Sequence, residues 1–285
     1  MVSVIIPTYN RAQSIAKSID SVLMQTYRDL EVIVVDDGSA DDTEKVIRQI
    51  HDPRLIYIRQ ENAGACAARN NGMKHARGEF IAFQDSDDIW YGDKLEKQMA
   101  VAKKSGADVV FCKMQQIDQE GNVSIIPSKN FTEGIVKDFS YISGIGTQAL
   151  LISRKAADRI AFDEKMVRFQ GLEWFLRACK VFSVYCIDEP LVDYFIEQDS
   201  ISADSAKLFN AANYLLKKHP DLPILHPLSA KEIYEALFRC FWLHKFDAGK
   251  DAFGEKYRSY LYLACKYGGT GFAVAQMIKR PSKRI

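Results

Sequence analysis

Val32-Ile33-Val34-Val35-Asp36-Asp37-Gly38-Ser39 and Phe80-Ile81-Ala82-Phe83-Gln84-Asp85-Ser86-Asp87-Asp88 are built alike. In each, an apolar run of four ends in carboxylates and turn residues. Short runs of β-branched or aromatic residues bounded by turn signals read as buried strands. In an open parallel sheet, ligands bind outside the carboxyl ends of the strands. Both acidic clusters are therefore expected on one edge of one sheet, facing one crevice. Carboxylates crowded there repel each other unless something positive lies among them. A hard divalent cation with oxygen ligands meets that need, together with a ligand rich in hydroxyl and N–H donors.

Working outward from these runs, strands are predicted at 2–6, 31–35, 55–59, 79–84 and 107–112. Helical patterns lie between them, near 13–24, 41–50, 64–76 and 93–104. Ser39 or Asp41 is suited to cap the second helix, because their side-chain oxygens accept free first-turn N–H groups. Gly106 is suited to end the fourth. Alternating strands and helices predict an α/β fold with a mainly parallel central sheet. The stretch 113–146 reads as hairpin and loop. A strand at 147–152, a helix near 171–181, a strand at 183–187 and an acidic turn at Asp188-Glu189-Pro190 follow. From 205 to 278 the pattern is helical, apart from a break at Pro220–Pro227. The domain reading is thus 1–204, with a first half at 1–112 and a second at 113–204, then a helical extension at 205–285.

Composition excludes several classes. The formal net charge of +1 gives no global electrostatic case for nucleic acid. The six cysteines contain no CxxC pair, so no disulfide framework is implied. Met1 leads directly into the first strand pattern, with no signal-peptide texture. No window reaches the eighteen or so apolar residues of a membrane span. The expected location is cytoplasmic. The turn after the first strand, Pro7-Thr8-Tyr9-Asn10, has no glycine, which argues against a dinucleotide fold. There is no P-loop, zinc signature or nucleophile elbow.

Taken in order, Val4-Ile5-Ile6-Pro7-Thr8-Tyr9-Asn10, Ser21-Val22-Leu23-Met24-Gln25-Thr26-Tyr27 and Val34-Val35-Asp36-Asp37-Gly38-Ser39 resemble the family 2 glycosyltransferases of GT-A fold. Asn62-Ala63-Gly64, Ala68-Arg69-Asn70-Asn71-Gly72 and Gly78-Glu79-Phe80-Ile81 before Asp85-Ser86-Asp87-Asp88 continue the likeness. It covers 2–112 closely and 147–195 more loosely. The resemblance implies an inverting transferase that uses a nucleotide-diphosphate sugar, UDP-linked in the first instance, and Mn²⁺ or Mg²⁺. It implies a donor site made of Pro7, Thr8, Tyr9, Asn10, Asp36, Asp37, Gly64, Arg69, Asp85 and Ser86. Asp37 would bond the base, with Asp36 as the alternative, and Thr8 and Tyr9 would form the wall beneath it. Arg69 would face the diphosphate. Asp87 would ligate the metal, and Asp85 the ribose or a metal-bound water.

The chain departs from the family at the catalytic base. The family pattern is an Asp opening a helix with an Arg six residues later; counting back from Arg177 gives Gly171. Glu173 is the nearest carboxylate, but two residues on a helix are about 200° of rotation. Three readings stay open. Glu173 serves as base; Asp163, Glu164 or water substitutes; or the protein binds the nucleotide sugar with little or no turnover. The resemblance further implies a saccharide or lipid-linked acceptor, in bacterial surface polysaccharide synthesis. Aromatic residues of the tail, from Tyr234 to Tyr262, and its basic end at Lys279–Arg284 allow contact with a membrane surface. A homodimer is compatible with this reading.

Overall fold

The structure, a computed structural model, describes residues 1–127, 131–196, 205–226, 228–230, 232–234 and 237. In chain order the elements are β1 (Val2–Thr8), α1 (Ile15–Leu23), β2 (Leu30–Asp36), α2 (Thr43–Arg48), β3 (Leu55–Arg59), α3 (Ala65–His75), β4 (Phe80–Phe83) and β5 (Ile89–Trp90). There follow α4 (Lys94–Ser105), β6 (Val109–Ile117), β7 (Val123–Ile126), β8 (Gly134–Ile135), β9 (Leu150–Ser153), α5 (Arg154–Arg159), α6 (Gln170–Ala178), β10 (Val184–Phe195), α7 (Ser205–Lys218) and α8 (Leu222–Leu225). The chain forms two compact units. One takes the described residues of 1–137 and 144–200, the other those of 138–143 and 201–285. The sheet and the candidate site belong to the first.

The strands run in the order β3-β2-β1-β4-β9-β6-β10-β5. The first four are mutually parallel, as alternating strands and helices predict. The chain steps outward from β1 to β3 and then returns to lay β4 on the other side of β1. That reversal is a topological switch point, where a crevice opens at the carboxyl ends of the strands. Beyond β4 the sheet turns mixed: β9 is antiparallel to both β4 and β6, and β10 runs parallel to β6.

Strand β2 is apolar at consecutive positions because it is covered on both faces. Val32 and Val34 pack with Val4, Ile6, Ile15 and Ile19, while Ile33 and Val35 pack with Ala68 of α3. Helix α3 lies close on β1. A Cβ on Gly72 would come within 2.5 Å of Ile5 Cγ2, so no larger residue fits without moving the helix. This packing holds the Arg69 turn of α3 against the sheet.

Local signals behave as the sequence predicts at the end of α4 and differ at three other points. Gly106 takes φ 70° and closes α4 with its N–H on the Ala102 carbonyl. At the start of α2 the cap position falls to Asp42, whose side chain makes no cap hydrogen bond; Asp41, one residue further out, accepts the Thr43 N–H at 3.0 Å, and Ser39 is taken up by Asn10. The predicted strand at 147–152 opens as a 3-10 turn, Thr147–Ala149, before β9. Asp188-Glu189-Pro190 is not a turn: β10 runs through it with shifts of register around Pro190. Proline cannot donate to the ladder, so the pairing with β6 slips there and then resumes. The aromatic positions beyond residue 237 and the basic stretch 279–284 lie outside the described residues.

Candidate active site

Three strand ends supply the site. Thr8 closes β1, Asp36 closes β2, and Asp85–Asp88 follow β4. The register of β1 with β2 sets Thr8 opposite Asp36, and that of β1 with β4 sets Ile5 opposite Phe83. The turn after β1 is bound to the loop after β2. Asp37 N–H donates to the Thr8 carbonyl at 2.8 Å, Asn10 N–H to Ser39 Oγ at 2.9 Å, and Ala40 N–H to Asn10 Oδ1 at 2.8 Å. Asn10 holds φ 52°, a left-handed conformation that asparagine tolerates better than most residues. Pro7 is buried within β1, and Tyr9 is half exposed, its ring open to solvent. The buried Thr8 Oγ1 has no hydrogen-bond partner among the described residues.

The two adjacent aspartates do different work. Asp36 is fully enclosed. One of its oxygens accepts Ser39 N–H at 2.8 Å and the other the Tyr57 hydroxyl at 2.7 Å, with Arg59 Nη1 at 3.5 Å. Burial, then the hydrogen bond to this carboxylate, pushes the Tyr57 hydroxyl up to about 12. Asp37 instead gathers the segment before α3. It accepts Gln60 Nε2 at 2.7 Å, Ala63 N–H at 2.9 Å and Gly64 N–H at 2.8 Å. Gly64 sits at φ 93° and leads into α3. A carboxylate offers about four acceptor positions, so Asp37 keeps capacity for one more donor.

Arg69, on α3, is buried. Its Nη2 donates to Asp85 Oδ1 at 2.6 Å and its Nη1 to Gln170 Oε1 at 2.6 Å, while its guanidinium lies 5.6 Å above the Phe162 ring. Its Nε has no partner among the described residues. In the acidic turn, Ser18 Oγ donates to the Asp85 carbonyl at 2.8 Å, and Ser86 is buried. Asp87 lies 3.5 Å from Arg11 Nε. Asp88 is fully buried, accepting Gln148 Nε2 at 2.9 Å and Phe195 N–H at 3.1 Å. Burial, then the nearby Asp85 and Asp87, raises its carboxyl well above the ordinary carboxylate range.

On the opposite side, α6 opens with Phe169 at φ 62°, an unusual conformation for an aromatic residue and a sign of local strain. Gly171 is buried in the first turn. A Cβ there would lie 3.1 Å from both the Ile145 carbonyl oxygen and the Thr147 nitrogen. Glu173 is enclosed and accepts two hydrogen bonds from Arg177, Nε at 2.8 Å and Nη2 at 2.7 Å. Glu164 is exposed; its Oε1 accepts Asn70 Nδ2 at 3.0 Å, and the Asn70 amide also pairs with the Phe162 backbone at 2.8 and 3.0 Å. Asp163 is half-buried and accepts Lys165 N–H at 3.0 Å. The Thr8 turn, Asp36, Asp37, Gly64, Arg69, Asp85 and Asp87 therefore come together through hydrogen bonds, ion pairs or strand register, whereas Glu173 is turned into its own ion pair.

Sequence reasoning passed over Arg11, Tyr57, Gln60 and Gln170. Arg11 carried the one usable signal, as a cation directly after the first strand-end turn. The other three reach the site through partners 21 to 101 residues away, which no local pattern encodes.

The fold is similar to that of the mannosyltransferase PcManGT from Pyrobaculum calidifontis, solved with GDP-Man and Mn²⁺. The TM-score is 0.63 at 18% identity, over 98% of this chain and 86% of that one. The fold class is thus GT-A, an α/β nucleotide-diphospho-sugar transferase fold. The family model "Glycosyl transferase family 2" matches residues 3–161, and the chain belongs to that family. It is a glycosyltransferase. Over 212 residues it is 32% identical to the UDP-Glc:alpha-D-GlcNAc-diphosphoundecaprenol beta-1,3-glucosyltransferase WfgD of Escherichia coli, covering 73% of this chain and 81% of that protein. It is 33% identical over 215 residues to the putative teichuronic acid biosynthesis glycosyltransferase TuaG of Bacillus subtilis, covering 73% and 83%.

Proposed function

We propose that this chain transfers a sugar with inversion from a nucleoside-diphosphate donor, UDP-linked first, to a hydroxyl of a saccharide or lipid-linked saccharide in bacterial surface polysaccharide synthesis. One observation carries the reading. At the switch point of the sheet, Arg69 faces Asp85 with an unpartnered buried Nε, on the helix whose N-terminal Gly64 is held by Asp37. The name of the E. coli relative supports the donor class, and that of the B. subtilis relative supports the setting. The relative acting on a diphosphoundecaprenol acceptor also supports work at a membrane face. No helix among the described residues is long and apolar enough to cross a membrane.

In this reading Tyr9 stacks on the base and Asp37 receives a base N–H with its remaining acceptor capacity. Pro7, Asn10, Asp36, Gly64 and Ser86 shape the walls. Arg69 turns its free Nε and part of its fork to the diphosphate. Asp87 and Asp85 hold Mn²⁺ or Mg²⁺. Their fit is that of a shared site. Among the described residues no three His, Cys, Asp or Glu gather around one point, and magnesium needs only one or two carboxylates when phosphates complete its shell. A divalent ion bound there offsets the charge that grows on the departing diphosphate.

Inversion needs a carboxylate to take the acceptor proton. Glu173 is enclosed by Arg177, so the exposed Glu164, bonded to Asn70 next to Arg69 in the chain and with Asp163 beside it, is kept as the alternative source. A second reading, donor binding with weak or no turnover, is favoured by one observation: backbone atoms of Ile145 and Thr147 crowd the place where a side chain at 171 would start. The test is a panel of UDP- and GDP-sugars, screened by thermal shift with Mn²⁺, Mg²⁺ and EDTA, then by nucleotide release with saccharide acceptors. Metal-dependent stabilisation with release supports the transferase; stabilisation without release supports the second reading. No stabilisation by any donor defeats both.

A further inference from the structure

Arg11 is anchored by its backbone to one acidic cluster and reaches the other with its side chain. Its N–H donates to Thr43 Oγ1 at 2.8 Å, and its neighbour Asn10 is bound to Ser39 and Ala40. These bonds fix the backbone to the loop after β2 and to the first residue of α2. The side chain extends to the turn after β4, where Nε stands 3.5 Å from Asp87 Oδ2. Both side chains keep some exposure, 27% for Arg11 and 21% for Asp87.

The two arginines of the site are held differently. Arg69 is tied by two hydrogen bonds of 2.6 Å and lies against Phe162. Arg11 makes one looser approach to Asp87 and one contact of 3.4 Å to its neighbour's carbonyl. A fork held this loosely is the one that can move. A divalent cation that approaches Asp87 alone meets a resident positive charge and must displace it. A diphosphate that arrives with the cation supplies a better partner for a guanidinium. The exchange then leaves every charge paired: metal on carboxylate, guanidinium on phosphate.

We propose that Arg11 is a resident counter-ion of Asp87. It holds that carboxylate closed to free divalent cations and yields it when a nucleoside diphosphate draws the guanidinium away. This rests on the donor-site reading above and adds a specific property to it. Metal and nucleotide bind with positive coupling, and the coupling runs through Arg11. Such coupling is reciprocal, so the factor by which nucleotide tightens metal equals the factor by which metal tightens nucleotide.

The test is calorimetric titration of the full chain with Mn²⁺ alone, with UDP or GDP alone, and with each nucleotide in saturating Mn²⁺, for the wild type, Arg11→Met and Arg11→Lys. Arg11→Met is expected to bind Mn²⁺ alone at least about fivefold more tightly. Its coupling factor with the nucleotide should fall by at least about fivefold, the lower end of ordinary allosteric factors. Arg11→Lys keeps the charge, so it should stay near the wild type in Mn²⁺ affinity and confirm that the substitution is tolerated. Equal Mn²⁺ affinity and equal coupling in Arg11→Met, with the wild type binding nucleotide, overturn the role of Arg11 and leave the donor site standing. If the wild type binds neither UDP nor GDP in Mn²⁺, the donor-site reading falls and this inference with it.

Discussion

The carboxylate of Glu173 is held by the guanidinium of Arg177, one helical turn along α6, through Nε at 2.8 Å and Nη2 at 2.7 Å. Arg177 Nη2 also donates to the Ala161 carbonyl at 2.8 Å, so the pair ties α6 to the segment before Glu164. A carboxylate committed in this way is poorly placed to take an acceptor proton.

Glu173→Gln should therefore act on stability before it acts on chemistry. Breaking a charge-assisted pair at an enclosed position is expected to lower the unfolding free energy by about 1.5–3 kcal/mol, seen as a lower midpoint in urea. Turnover should fall less than tenfold, with the pH profile of kcat unchanged. A loss of 10²–10⁴-fold, the contribution of a general base, at unchanged stability would return Glu173 to the catalytic role.

Gly171→Asp tests whether the base position is merely empty. Its Cβ would press on backbone atoms of Ile145 and Thr147 at 3.1 Å. Backbone yields less readily than a side-chain tip, and overpacking of this kind costs about 1–3 kcal/mol. The variant is expected to melt earlier and to gain little in nucleotide release. Gly171→Ala separates crowding from charge. A rise of a hundredfold or more in Gly171→Asp alone would mean that the helix start can open to admit a carboxylate.

Asp37→Ala should weaken both the fold and the donor site. Three donors, Gln60 Nε2 and the Ala63 and Gly64 N–H groups, lose their acceptor. Hydrogen bonds to a charged group contribute about 1.5–3 kcal/mol each, and partial rehydration offsets some of that. A net loss of about 2–4 kcal/mol is expected. Asp37→Asn keeps one acceptor oxygen and should lose less stability while still weakening UDP binding in calorimetry. An Asp37→Ala protein as stable as the wild type would contradict the clamp.

Lys94 gives a pH prediction. It is fully buried, with Nζ 3.7 Å from the Trp90 ring centroid and 2.9 Å from Gln98 Oε1, and no carboxylate pairs with it among the described residues. Burial lowers its ammonium from 10.5 to about 8. The unfolded chain keeps the proton up to about 10.5, while the folded chain gives it up above about 8. The destabilisation is therefore present in full below pH 8 and is relieved as pH rises to 10.5. The gap corresponds to about 3 kcal/mol. Lys94→Met lacks this group, so the wild type should gain stability relative to the variant between pH 8 and 10.5, as read from urea midpoints. A constant difference across that range would show that Lys94 titrates normally.

The sequence by itself determined the parallel half of the sheet and the edge on which the site lies. Val32–Val35 and Phe80–Phe83 are apolar at consecutive positions, and the turn residues after them stop each strand, so strand, boundary and carboxyl end can all be read within eight or nine residues. The fixed order of motifs from Val4 to Asp88 also identified the family. The tertiary structure alone decided how that edge is used. Asp36 and Asp37 are identical neighbours, and only the alternation of side chains along β2 turns one inward to Tyr57 and leaves the other to gather Gln60–Gly64. Strand β9 reads as any apolar run, and its antiparallel place between β4 and β6 follows from backbone pairing with residues 39 to 73 positions away. Arg11 on Asp87, Arg177 on Glu173 and the backbone crowding at Gly171 likewise depend on where helices and loops come to rest on the sheet. Local periodicity fixes what a segment becomes; which charges meet is set by packing between segments far apart in the chain.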